Sequence, residues 1–277
     1  MTRSVLLTGA TGFVGRQVLR ALTERGVAVR VVVRASSEIP AADAARVERV
    51  VRTDDLFAER AEWWADVSAS VDTIVHAAWY AEPGKYVNAS QNMECLAGTL
   101  ELARGAVRAG VRHVVGVGTC AEYDLSSGDG TLSVSSPLGP MSPYAAAKAA
   151  TYFALVRWLP LHDVRFAWCR LFYLYGEGED ARRLVPYLRE RLAAGQEAEL
   201  TAGTQLRDYL DVRDAGRMIA DVALGDAHGA VNVCSGVATT VRELAERIAD
   251  EYGRRDLLRF GARAENQFDP PRVVGVR

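Results

Sequence analysis

Thr8-Gly9-Ala10-Thr11-Gly12-Phe13-Val14-Gly15 follows a short apolar run, Val5-Leu6-Leu7, and opens a helical pattern from Phe13 to about Arg25. Gly9 and Gly12 allow a tight turn and close backbone approach, and Gly15 lets the helix pack on the strand. The free N–H groups and the positive end of the helix dipole then face a pyrophosphate. A glycine pattern alone is weak evidence. Strand before, helix after and a position at the N-terminus make it a dinucleotide cradle.

The rhythm of the cradle continues outward. Strand patterns over residues 27–33, 47–51, 72–76 and 111–117 alternate with helical ones, and Gly26 and Gly110 stop two of the helices. Val31-Val32-Val33 is unbroken, as expected of a strand covered on both faces. A long helix is predicted over 87–109, a Ser/Gly/Pro loop over 126–143, a helix over 144–158 and a strand over 166–172. Beyond Gly176 come charged helical segments at 181–194, 212–224 and 241–252, separated by short strands. The reading is α/β: a Rossmann-type doubly wound parallel sheet with a smaller α/β C-terminal lobe. The nucleotide-binding domain takes residues 1–172 and roughly 206–234. The substrate lobe takes 173–205 and 235–277.

With 33 Lys and Arg against 35 Asp and Glu over 277 residues, the chain has no general field for nucleic acid or an anionic membrane. Cys95, Cys120, Cys169 and Cys234 are far apart and form no metal-binding pattern with the four histidines, so no metal site is expected. The N-terminus lacks the longer apolar stretch of a signal peptide, and no segment approaches the ~20 apolar residues of a membrane span. A cytoplasmic protein with reduced, packed cysteines is expected.

The end of the second strand reports on the cofactor. An acid there binds the ribose hydroxyls of NAD, and a basic residue accommodates the 2′-phosphate of NADP. The strand ends in Val33-Arg34, Ser36 follows, and no acid appears before Glu38. NADP(H) is favoured, with NAD(H) as the alternative; an ordinary surface arginine is the plain reading of Arg34.

Tyr144 and Lys148 are four apart at the start of a predicted helix and share a face. An ammonium near a phenol lowers the phenol's pKa and suits it to proton transfer. Tyr-x-x-x-Lys occurs on many helices by chance, and position gives it weight. Thr119 ends the fifth strand, beyond which such sheets bind ligands, and its hydroxyl can hold a carbonyl beside Tyr144.

The glycine stretch, His76-Ala77-Ala78, Thr119 and Tyr144-Ala145-Ala146-Ala147-Lys148 together resemble the extended short-chain dehydrogenase/reductases, in their nucleoside-diphosphate-sugar epimerase/dehydratase/reductase branch. The resemblance implies that Thr119 orients a carbonyl, Tyr144 donates a proton, and Lys148 binds the nicotinamide ribose. It places Asp55-Leu56 at the adenine, Ala77-Ala78 along the cofactor, and Ala121, Glu122, Tyr173 and Arg207 on the substrate side. Arg207, in Arg207-Asp208-Tyr209, would grip the diphosphate of a nucleotide sugar, since a guanidinium pairs with it bidentately; the alternative is a salt bridge with Asp208 or Asp211. Relatives that pair through the helices near 87–109 and 144–158 imply a homodimer. Two departures concern the substrate pose: Tyr173 stands where the family often has Asn, and Asn92 lies about a turn before the place the family's Asn-x-x-Gly-Thr pattern requires ahead of Gly98-Thr99.

Family dehydratases carry acids directly after the catalytic Thr. Here Cys120-Ala121 follow Thr119, and Glu122 is expected to face elsewhere, so dehydration is disfavoured. Arg34 tips the choice toward an NADPH-dependent ketoreductase of a nucleotide-linked 4-keto-6-deoxyhexose. The alternatives are a nucleotide-sugar 4-epimerase with tightly bound NAD, a reductase of a non-sugar ketone, and a non-catalytic NADP-binding sensor.

Overall fold

The computed structural model describes residues 3–126, 128–265 and 269–277. Seven parallel strands form the main sheet: β1 (Ser4–Thr8), β2 (Ala28–Arg34), β3 (Arg49–Thr53), β4 (Thr73–His76) and β5 (His113–Thr119), then, after the two-residue β6 (Thr131–Leu132), β7 (Arg165–Leu171) and, after β8 (Tyr173–Tyr175), β9 (Ala198–Leu200) and β10 (Leu206–Asp211), β11 (Gly229–Val233). Their spatial order is β11-β7-β5-β4-β1-β2-β3. The chain leaves β1 first toward β2 and β3, then returns to its other side at β4. That reversal opens a crevice beyond the carboxyl ends of β1 and β4, where open α/β sheets bind ligands.

Both sheet faces are covered, which is why the central strands read as unbroken apolar runs. Helices α1 (Phe13–Glu24) and, far along the chain, α7 (Val212–Leu224) cover one face. The short α2 (Ala41–Ala44) lies between β2 and β3, and α3 (Ala61–Val67), α4 (Gln91–Ala109) and α5 (Pro143–Trp158) cover the other face around Trp64 and Trp168. Close approaches demand small residues. A Cβ on Gly105 would collide with Trp64, and one on Gly216 would collide with Gln17 across the α1–α7 contact. Helix α5 starts where it does because Ser142 accepts a hydrogen bond from Ala145 N at 3.2 Å and Pro143 occupies the first turn. Gly110, at φ +73°, ends α4.

A second, smaller sheet has the order β12 (Ala238–Thr240), β10, β14 (Arg272–Gly275), β6, with β8 beside β10. Helices α6 (Leu184–Ala193) and α8 (Val241–Glu251) pack with β9 and β13 (Leu258–Phe260) around Leu188, Leu192, Leu244 and Ile248. The predicted return of residues 206–234 to the nucleotide-binding domain is therefore split. Helix α7 and β11 join the large sheet, whereas β10 pairs with β12, β14 and β8 in the lobe. Within the predicted 126–143 loop, of which residue 127 lies outside the described residues, β6 crosses to pair with β14.

All four cysteines are free and buried. Among the described residues no helix is long and apolar enough to cross a membrane.

Two histidines have no exposed place in this core. His76 sits between Thr8 and Thr99: its Nδ1 lies 2.9 Å from Thr8 Oγ1 and its Nε2 lies 3.0 Å from Thr99 Oγ1. Thr99 already donates to Cys95 O, and Thr8 already accepts from Ala78 N, so the neutral Nε2–H tautomer satisfies the whole chain. Burial pushes His76 down to about 3, and burial plus Arg165 pushes His113 down to about 4. Both pKa values are depressed, so the unfolded chain takes up protons first as pH falls. Stability from these groups is complete above about pH 6.5 and is lost toward pH 4 and 3, by about 1.4 kcal/mol per pH unit for each. Urea unfolding at pH 7 and pH 5 should show this loss, and His113→Leu should flatten it. Equal slopes in the two proteins would contradict the assignment.

Candidate active site

The glycine stretch joins the carboxyl end of β1 to α1, at the point where the strand order reverses. Gly9 is at φ +74°, and a Cβ there would collide with the backbone of Ala77 and Ala78. A Cβ on Gly15 would strike Gly9 O. Gly12 N donates to Gly9 O at 3.0 Å, which closes the turn. Gly12 is the N-cap of α1 and no side chain caps that helix, so the first-turn N–H groups of Phe13 and Val14 remain open to an anion. Thr11 is half-buried at the same turn. This uncapped cradle, with glycine at 9, 12 and 15, fits the pyrophosphate of a nicotinamide dinucleotide.

The other predicted cofactor residues follow the carboxyl ends of β2, β3 and β4. Arg34 and Ser36 are exposed at the end of β2, and among the described residues Arg34 pairs with no carboxylate. Arg52, which the sequence reading did not single out, braces this corner by donating to Ser37 O at 2.8 Å. Asp55 is exposed beyond β3 and accepts from Phe57 N at 2.9 Å, whereas Leu56 is buried in the core. Ala77 is half-buried, and Ala78 N is held by Thr8 Oγ1 at 3.2 Å.

Thr119, Tyr144 and Lys148 converge. Thr119 ends β5, and its hydroxyl lies beside that of Tyr144, near the start of α5, close enough to act on the phenol. Lys148 lies one turn further along α5, fully inside the protein, and its Nζ donates to Val117 O at 2.6 Å. Thr119 Oγ1 also accepts from Ala121 N at 3.2 Å, and Glu122 accepts from Thr119 N at 2.9 Å. The pair of bonds is a capping box on the short turn 120–122, and it fixes the hydroxyl's direction.

The surroundings of Tyr144 work against the expected lowering of its phenol by Lys148. Burial, reinforced by Tyr86 and Glu122, holds the phenol well above its ordinary range, and the Thr119 hydroxyl only partly offsets this. Burial pushes Lys148 down to about 7 against the opposing pull of Glu122. At neutral pH the site holds a firmly protonated phenol.

Glu122 faces elsewhere, as expected, and is therefore not on the substrate side where the resemblance placed it. Its carboxylate has no exposed surface and does not reach a substrate. It accepts from Trp168 Nε1 at 2.9 Å and pairs with Arg170 Nε at 2.8 Å. Ala121 remains half-buried beside Thr119. Tyr173 and Arg207 do come together on β8 and β10: the guanidinium lies 5.2 Å from the Tyr173 ring centre. Arg207 is buried and pairs with Asp269, not with Asp208 or Asp211, at 2.7 Å. Asp208 is occupied elsewhere, accepting from Ser235 N, Gly236 N and Gly275 N.

Residues 5–234 match the NAD dependent epimerase/dehydratase family. The chain belongs to this family. A dTDP-6-deoxy-L-talose 4-dehydrogenase (NAD(+)) of Aggregatibacter actinomycetemcomitans is 22% identical over 99% of this chain and all of its own length. A dTDP-4-dehydro-6-deoxy-D-allose reductase of Streptomyces bikiniensis is 26% identical over 99% of this chain and 86% of its own. The crystal structure of a dTDP-glucose 4,6-dehydratase from Streptomyces venezuelae with NAD bound superposes with a TM-score of 0.80 at 27% identity, covering 99% of this chain and 88% of that one. As a member of this family the chain is an enzyme of the short-chain dehydrogenase/reductase type.

Two substitutions examine the site without substrate. Gly15→Ala should weaken nicotinamide-dinucleotide binding by at least about tenfold in calorimetry, because the methyl group must displace Gly9 O. Glu122→Ala should cost about 3–5 kcal/mol of stability by stranding the buried Arg170 guanidinium; a thermal midpoint equal to that of the parent would show the pair to be dispensable.

Proposed function

We propose that this enzyme is an NADPH-dependent ketoreductase of a nucleotide-linked 4-keto-6-deoxyhexose. The observation that carries the reading is the Thr119–Tyr144 hydroxyl pair, with a phenol held protonated and no carboxylate at 120 or 121. When bound, the nicotinamide cofactor supplies hydride. The chain supplies the remainder: Thr119 and Tyr144 hydrogen-bond the carbonyl oxygen, and Tyr144 gives its proton to that oxygen as it becomes an alcohol. Burial keeps the phenol protonated, and the more basic alkoxide oxygen formed by reduction can still take that proton. Elimination of water needs an acid and a base beside the sugar, and Cys120 and Ala121 offer neither.

Arg34 supports NADPH, being exposed and unpaired by any described carboxylate where the 2′-phosphate of the cofactor would lie. Arg207 and Tyr173 support a nucleotide diphosphate beyond the reacting carbon. The named reductase relative acts on a dTDP-linked 4-keto-6-deoxy sugar, and this is the substrate class proposed. Other relatives are named as dehydrogenases and dehydratases, so family membership by itself does not choose the reaction.

NADPH absorbance should fall on mixing the enzyme with a dTDP-4-keto-6-deoxyhexose. Tyr144→Phe should lower kcat by about 100-fold or more, and Arg34→Ala should raise KM for NADPH while leaving that for NADH. No consumption, or consumption indifferent to Tyr144→Phe, removes the proposal. Tightly bound NAD with no net NADPH use would instead mark an epimerase.

A further inference from the structure

Of the 33 Lys and Arg residues in this chain, only Lys85 and Lys148 are lysines. Lys85 is exposed and pairs with Glu82 at 2.6 Å. Lys148 is therefore the one buried basic position filled by an amine, whose charge can be adjusted, in a chain that otherwise uses the permanently charged guanidinium.

What surrounds that amine is unusual. Among the described residues no carboxylate forms an ion pair with Lys148, and Glu122 spends its oxygens on Trp168, Arg170 and Thr119 N. Besides Val117 O, the ammonium faces aromatic rings. Nζ lies 3.8 Å from the centre of the Trp79 indole and 5.6 Å from that of Trp168. The shorter separation is close cation–π contact, in which the negative face of the ring favours the ammonium over the neutral amine.

The indole itself is fixed. Trp79 Nε1 donates to Asn92 Oδ1 at 2.9 Å, and Phe57 packs edge-on against the ring at 6.3 Å. Asn92 is 1% exposed, and its amide nitrogen donates to Tyr86 O at 2.7 Å and Ala89 O at 2.9 Å. Tyr86 in turn sets its ring perpendicular to that of Tyr144, with centres 4.8 Å apart. One buried asparagine thus ties the indole over Lys148 to the ring beside Tyr144. The displacement of this asparagine from the expected family position now has a physical meaning: Cys95, three residues before Gly98, accepts from Tyr80 N, while Asn92, a turn earlier, holds Trp79.

We propose that Trp79, fixed by Asn92, is a positioning residue that holds the Lys148 ammonium at the end of β5, while the same asparagine seats Tyr86 against Tyr144. The inference rests on the reading of Tyr144 and Lys148 as the proton-handling pair, but its first test needs neither substrate nor turnover. Trimming a merely space-filling Trp79 would admit water and leave the Lys148 midpoint unchanged or raised. Losing an indole that binds the cation must lower it.

With only two lysines, ¹³C-lysine labelling yields two side-chain ε signals, and Lys85→Arg assigns them. Lys148 should titrate with a midpoint near 7, and Lys85 far above it. Trp79→Met should lower the Lys148 midpoint by about one pH unit. Trp79→Phe, which keeps a ring and serves if the Met variant does not fold, should lower it less, and Asn92→Ala should lower it by loosening the indole. A folded Trp79→Met protein whose Lys148 midpoint is unchanged or raised overturns the proposal, as does a Phe variant that shifts upward. In the NADPH assay, Trp79→Phe should move the pH profile of kcat in the same direction with KM for the sugar nucleotide unchanged. Absence of turnover in the parent enzyme would count against the reductase reading alone, because the lysine titration is read without it.

Discussion

A carboxylate with no exposed surface, Glu122, governs the carboxyl end of the sheet. Removing such a charge from water is costly and is tolerated only where good hydrogen bonds and a partner charge compensate it. Here both are present. Arg170 neutralises it, and Trp168 Nε1 and Thr119 N donate to it. The guanidinium lies 4.7 Å from the ring centres of both Tyr123 and Tyr152, and Tyr123 carries the network on to Asn232. Gly116 and Gly118 are required beneath this arrangement, because a Cβ on either would occupy the place of the Trp168 ring. Satisfying one buried acid therefore dictates small residues on β5, a large one on β7 and the position of Thr119.

The same network joins the two parts of the molecule. Asn232, on β11 of the large sheet, donates to Leu132 O on β6 and to Val276 O beyond β14. Cys120, Tyr123, Leu132, Phe172, Cys234 and Val273 form a small apolar cluster at that junction. Thr119 and Tyr144 and the lobe-borne Tyr173 and Arg207 are thus held in one frame by contacts immediately behind them. A crevice between independently moving parts would need to assemble these groups on each binding event and bear the ordering entropy each time.

Features that were legible in the sequence are those decided locally. The glycine stretch, the four-residue spacing of Tyr144 and Lys148, the breaks at Gly26 and Gly110 and the span of α7 depend on neighbours within a turn or two. What escaped depends on partners far along the chain. Leu206–Asp211 looks like any short strand, and only pairing with residues 238–240 and 272–273 assigns it to the lobe. Glu122 reads as an acid beside a catalytic threonine, and nothing nearby announces that Trp168 and Arg170 will consume it. The phenol of Tyr144 was expected to be lowered by Lys148 on the strength of their spacing. Spacing specifies a shared helix face but not solvent exclusion, and solvent exclusion decides the direction.

A second buried acid repeats part of the logic of the first. Asp208 has no exposed surface, and it accepts from Ser235 N, Ser235 Oγ, Gly236 N and Gly275 N. It stands next to Arg207 in sequence, and Glu122 stands three residues after Thr119. Asp208 gathers backbone N–H groups brought together by the fold, whereas Glu122 holds Thr119 N together with the Trp168 and Arg170 side chains. Backbone donors cannot rotate away, so each acid is tied to the scaffold near the residue it follows or adjoins. The hydroxyl of Thr119 and the guanidinium of Arg207 can then meet a ligand already oriented, with little conformational entropy left to lose on binding. Substituting either acid should therefore disturb the adjacent functional group by loosening its backbone, even though neither carboxylate is placed to touch a ligand.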